Sequence, residues 1–116
     1  MNFLFVFFGG GIGCLMRYMI GLGFQRSSAT LPWATFFSNI SACFIFAGVL
    51  WIMQHKDVNN ANLRLLLLVG LCGGLSTFST FGYETYLLLK QSLYLVALLN
   101  ILVTTSLSIF IFYLFN

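Results

Sequence analysis

Formal charge is what this chain has least of. Its 116 residues carry five basic and two acidic side chains, so only 6% are charged. A soluble domain is about a quarter charged and about half apolar. Here 60% of residues are hydrophobic and the mean hydropathy is +1.01. So few charges cannot cover a globule of this size in water. The same shortage excludes a charged disordered chain and a nucleic-acid module held by phosphate contacts. The net charge of +3 reflects missing acids more than abundant bases and implies no polyanionic partner. Histidine occurs once, as His55 beside Lys56, and reads as a solvated loop residue. No histidine within an apolar run is placed to activate a serine or cysteine. The only acids, Asp57 and Glu84, belong to different regions, so an enzyme is not expected. Cys14, Cys43 and Cys72 form no C-x-x-C and no Cys/His cluster, which leaves a zinc site unsupported.

What is present is long uncharged sequence. Arg26 and Lys56 are separated by 29 residues without Asp, Glu, Lys or Arg, and Arg64 and Glu84 by 19. Another 26 run from Gln91 to Asn116. A helix crosses roughly 30 Å of hydrocarbon with about 20 mostly apolar residues. Four spans fit, at 3–24, 33–53, 63–89 and 92–115, and predict an all-α membrane protein. Residues 1–116 then form a single transmembrane domain, with no extramembrane domain expected. The first span lacks a basic start, and no small-x-small site in it is followed by a soluble domain, so it reads as a retained helix rather than a signal peptide.

Gln25–Thr30 reads as a polar turn, followed by the only proline, Pro32, at a helix start. Gln54–Asn60 is the clearest loop, and Lys90-Gln91-Ser92 is a tight connection. With four spans, Lys56 and Arg64 fall on one side and Arg26 and Lys90 on the other. The positive bias that normally orients a membrane protein is nearly absent. Insertion in both orientations is one reading; the other is that four charges are too few to decide.

Small and polar residues inside the spans are the informative ones. Gly9 and Gly13 form a G-x-x-x-G of the kind that lets helices approach closely, with Arg17 on the same i+4 row. An intramembrane arginine either snorkels to the interface or attracts an anion to a vestibule. In the third span, Gly73-Gly74 precedes Ser76-Thr77-Phe78-Ser79-Thr80-Phe81. Paired glycines at mid-membrane weaken a helix, and with the hydroxyl residues that follow closely they predict irregular backbone, tolerated only where protein or a wet cavity satisfies it. Broken helices recur at ion sites because freed backbone groups point inward. Phe78 and Phe81 share a face, and an aromatic ring has a positive edge. They are either lipid-facing bulk or an anion-favouring pair. The second span holds Thr35, Ser38, Asn39 and Ser41; in the fourth, Asn100, Thr104 and Ser108 form one stripe. These polar groups either line a pathway or bond between helices. Thr105 and Ser106 read as interhelical or back-bonding groups.

Together these residues resemble the CrcB/Fluc fluoride channels, small bacterial four-helix membrane proteins. The markers are Gly9-Gly10-x-x-Gly13-x-x-x-Arg17-Tyr18, Pro32-Trp33-Ala34-Thr35 leading to Asn39, and Gly70-x-x-Gly73-Gly74-x-Ser76-Thr77-Phe78-Ser79-Thr80-Phe81 with Glu84-Thr85 following. They run along most of the chain.

The resemblance implies an antiparallel, dual-topology homodimer in a bacterial inner membrane, with two pores for fluoride. It implies that Phe78 and Phe81 present ring edges to the pore, that Asn39 is the pore asparagine, and that Thr35, Thr104 and Ser108 form a hydroxyl track. It further implies that backbone carbonyls of Gly73 and Ser76, at the helix break, hold a structural sodium ion shared with the partner. Arg17 corresponds to a vestibule arginine and Glu84 to an acid near a pore mouth. The implied physiology is passive: hydrogen fluoride enters, ionises inside and is trapped, and a pore lets the anion leave. Three positions depart from the family pattern: Ala42 stands where glycine is usual, Ser76 where threonine is usual, and Asn100 where some members have tyrosine. The alternatives are a small multidrug-type proton antiporter and one subunit of a heteromeric fluoride channel. The antiporter needs a carboxylate in the first span, which instead carries Arg17.

Overall fold

The computed structural model describes residues 1–26 and 31–116. Four helical stretches are long and apolar enough to cross a membrane: Asn2–Gly23, Trp33–His55, Ala61–Lys90 and Tyr94–Leu114. Each end lies within two residues of its expected position. The expected turn at Gln25–Thr30 falls largely on 27–30, outside the described residues. The first, second and fourth spans are continuous α-helices. The third consists of a leading half-helix, residues 61–75, and a trailing half-helix, Phe78–Lys90, with Ser76 and Thr77 between them.

Chain reversals explain the compact bundle. Asn60 opens the leading half-helix by accepting from the Asn62 and Leu63 amides through its side chain, relieving donors that a helix start leaves unpaired. Ser92, at φ 62°, ends the trailing half-helix, with Leu93 N–H donating to Leu88 O and Ser92 N–H to Leu89 O. This crossed pair satisfies the last carbonyls and turns the chain into the fourth span within a few residues.

Packing divides into two pairs. The first helix lies along the leading half-helix, and the second packs on the fourth. Glycine decides the first contact. A Cβ on Gly70 would lie 2.9 Å from Gly9 Cα, and one on Gly74 would collide with Gly10 O. A Cβ on Gly13 would collide with Leu71 O and lie 2.8 Å from Leu75 N. The two backbones therefore touch, which the G-x-x-x-G expectation required. From Leu65 to Cys72 the leading half-helix winds with wide i→i+5 turns along this glycine contact. The second contact is ordinary side-chain packing, centred on Ile40, Ala47 and Ile111 with Phe36, Cys43, Leu107 and Phe115 around them.

Candidate functional site

The break in the third span lies at Ser76 and Thr77; of the two break positions that the resemblance implies, Ser76 is extended and Gly73 stays helical. Gly73 is helical, at φ −64° and ψ −37°, while Ser76 and Thr77 are extended. Glycine's helix cost is about 1 kcal/mol, and here close packing offsets it at Gly74. The break is stabilised by side chains that stand in for lost backbone partners. Asn39 Oδ1 accepts from Thr77 N–H at 2.7 Å, and Asn39 Nδ2 donates to Thr77 O at 3.4 Å. One amide side chain thus pairs with an extended residue much as a neighbouring strand would. Ser76 Oγ donates to Cys72 O at 2.8 Å. Thr77 Oγ1 accepts from Thr80 N–H at 3.3 Å, capping the trailing half-helix.

Arg17 closes the other side of the break. Its Nε donates to Gly74 O at 3.1 Å, across 57 residues of sequence. A guanidinium at a helix C-terminus meets the negative end of the dipole and an unpaired carbonyl together. The side chain also lines an open hollow of about 510 Å³ with Cys14, Tyr18, Gly21, Leu22 and Gln25. It is therefore tied inward while also bordering that hollow. Among the described residues, no hydrogen bond reaches the carbonyl oxygens of Gly73 or Ser76. Those two oxygens remain available to an outside ligand.

The break opens onto a second hollow of about 270 Å³. Asn39, Cys43, Ser76, Thr77, Phe78, Phe81, Thr104, Thr105 and Ser108 line it. The structure thus brings five of the six expected pathway residues around one space. The Phe78 and Phe81 rings lie 6.0 Å apart, tilted by 36°. Phe78 is 85% exposed, so the hollow is open on that side in a single chain. None of its lining residues is charged. What it offers an ion is amide and hydroxyl dipoles and two aromatic rings. Thr105, read from sequence as a packing hydroxyl, lines this hollow; its place three residues before Ser108 was the available signal. Cys43, one turn after Asn39, also lines it and was not among the expected pathway residues.

Thr35, the sixth expected residue, is elsewhere. It is buried and donates from Oγ1 to Glu84 Oε1 at 2.8 Å. The remaining carboxylate oxygen, Glu84 Oε2, is buried without a partner among the described residues. Glu84 thus faces the second helix, joined to the residue one turn before Asn39. Asn100 is a packing residue: Nδ2 donates to Thr85 Oγ1 at 3.0 Å, and Oδ1 accepts from Thr104 Oγ1 at 3.5 Å. Thr85 in turn donates to Phe81 O at 2.8 Å. This chain of bonds fixes the fourth helix against the half-helix that carries the phenylalanines. Interhelical bonds in membranes average about 0.6 kcal/mol and reach about 1.7. Asn100→Ala is therefore expected to lower stability by about 1 kcal/mol, read as an earlier midpoint in unfolding titrations of the detergent-solubilised protein.

Comparison with known proteins adds a separate line of information. The family model described as "CrcB-like protein, Camphor Resistance (CrcB)" matches residues 4–115. A Phocaeicola vulgatus protein named fluoride-specific ion channel FluC is 43% identical over 94 residues, covering 80% of this chain and 77% of that one. A Shewanella denitrificans protein of the same name is 38% identical over 114 residues, covering 97% and 91%. The family-model match spans the glycine contact, the broken third span and the residues around the uncharged hollow.

Proposed function

This chain belongs to the CrcB-like family, and from that premise we propose that it is a fluoride channel that lets the anion leave the cell passively. It is a multi-pass membrane protein, and we place it in a bacterial inner membrane. The observation that carries the reading is the uncharged hollow beside the break. A dehydrated anion needs positive potential, but a lysine or arginine at the narrowest point would hold it too long. Amide and hydroxyl donors replace part of the water shell, and the edges of Phe78 and Phe81 add weak attraction without a full charge. Hydrogen fluoride enters as a neutral molecule and ionises inside. An inside-negative potential then drives fluoride out, with no nucleotide required.

The working unit in this proposal is a homodimer of oppositely inserted chains. Two features support it: the even division of basic residues between the two sides, and the exposure of Phe78 on a hollow that a single chain leaves open. A structural sodium ion at the centre is the companion proposal. Hard cations take oxygen ligands, and the free carbonyls of Gly73 and Ser76 are of that type. Two carbonyls are too few to replace a hydration shell, so a partner chain would supply the rest. Here the break itself is held by Asn39 and Arg17, so the protein's own groups keep the carbonyls in place.

The test is release from vesicles. The purified chain is reconstituted alone into liposomes loaded with potassium fluoride, and valinomycin is added to carry the balancing potassium. Rapid appearance of external fluoride at an ion-selective electrode is the expected result. Retained fluoride would overturn the homomeric channel reading.

A further inference from the structure

Two thiols stand beside the ion hollow. Cys43 lies on the second helix one turn after Asn39, and Cys72 lies one turn before Ser76. Both are free thiols lining a hollow of about 180 Å³, together with Ala42, Gly73 and Ser76. They face it from two elements in contact, the second helix and the leading half-helix. Among the described residues no group of three or more His, Cys, Asp or Glu side chains is placed to hold a metal, so the pair has no third ligand of that kind. Cys43 and Ser76 also line the ion hollow, so the two spaces share a wall.

We propose that Cys43 and Cys72 together bind one soft, two-coordinate cation of the mercury(II), silver(I) or copper(I) class, and that this blocks the adjoining ion hollow. The blocking half rests on the fluoride-channel reading; the binding half does not. Thiolate sulfur suits soft ions, whereas zinc asks for four ligands. With mercuric chloride, each thiol gives up its proton and the metal gives up both chlorides. Two S–Hg bonds replace two Hg–Cl bonds, and two equivalents of hydrogen chloride leave. No oxidant is needed, and the bridged product is neutral, which suits an apolar wall. The bridge ties the second helix to the leading half-helix one turn from Asn39, so it shifts the amide that lines the ion hollow. Cys14 is exposed on another helix and offers a single thiol. It keeps chloride or a free monothiol as its second ligand.

The experiment uses full-length Cys14→Ser protein and one equivalent of mercuric chloride. Intact mass is expected to rise by one mercury less two hydrogens, without chloride. Because Cys72 is buried, the maleimide is added in denaturing detergent, where both remaining thiols should react before mercury and neither after it. Adding Cys43→Ser or Cys72→Ala should leave mercury held only as a chloride adduct that excess monothiol strips. Two thiols still reactive after mercury, or equal retention after either substitution, would overturn the site. In vesicles, mercury should stop fluoride release by the Cys14→Ser protein, with recovery by a dithiol and not by a monothiol. Bridging without loss of flux would overturn the block alone. Absence of flux before any mercury is added would count against the channel reading and leave the binding result standing.

Discussion

Phe81→Ile is expected to lose most fluoride release from vesicles while the protein still folds and assembles. Phe81 lines the uncharged hollow beside Phe78, with ring centres 6.0 Å apart. Isoleucine keeps apolar bulk but has no ring, and so no positive edge toward an anion. Ring–ring contacts are worth about 0.5–1.5 kcal/mol, and a partly dehydrated ion feels the same quadrupole more strongly. A rise of about 1.4 kcal/mol in the barrier slows a step about tenfold. Loss of tenfold or more, measured as initial release at a fluoride electrode, is therefore the expected size. Phe110→Ile supplies the control. Phe110 is exposed on the fourth helix and is not among the residues around the hollow. It should retain flux. Wild-type flux in the Phe81 variant would remove ring edges from the mechanism, and equal loss in both variants would point to a general packing defect.

Gly13→Ala is expected to leave little folded protein. The added methyl would collide with Leu71 O and approach Leu75 N, both backbone atoms of the leading half-helix. Overpacking costs about 1–3 kcal/mol where side chains can move aside. Here no rotamer change relieves it, so the two helices must separate. Separation also pulls Gly74 O away from Arg17, because that carbonyl lies on the displaced half-helix. Gly11→Ala, two residues away on the same helix, meets nothing within 4 Å. It should fold at least as well, since alanine favours a helix over glycine by about 1 kcal/mol. The comparison is read as monodisperse yield on gel filtration and as the midpoint of thermal unfolding in detergent. Equal behaviour of the two variants would show that the glycine contact does not govern this packing.

The four spans were legible because hydrocarbon imposes one rule that acts locally. Each residue's cost in the membrane depends on that residue, so a scarcity of charge marks the segments directly. Gly9 and Gly13 were legible for a similar reason: helical spacing puts them on one face whatever the helix meets. The position of the break was not legible from local propensity, although the resemblance implied Ser76. Gly73-Gly74 looked weakest on intrinsic propensity, yet both glycines remain helical. The extended pair is Ser76-Thr77, where Asn39, a side chain 38 residues distant, takes over Thr77's backbone bonds. A local pattern does not show a partner that arrives from another helix.

The polar stripe shows the same division. Spacing placed Asn100, Thr104 and Ser108 on one face, but only Thr104 and Ser108 reach the hollow with the phenylalanines. Asn100 is occupied by Thr85, and Thr35 by Glu84. Arg17 stood between two open readings, and its partner, Gly74 O, comes from a helix 57 residues away. By itself, then, the sequence determined the solvent this protein folds in, the number and ends of its spans, and the residue types from which any pathway must be made. Composition and period decide those, one residue or one helix at a time. The tertiary structure decided which polar groups satisfy the broken backbone and which remain free to meet an ion. A hydrogen-bonding group inside a membrane takes the partner that packing brings within reach, and packing is a property of helix pairs.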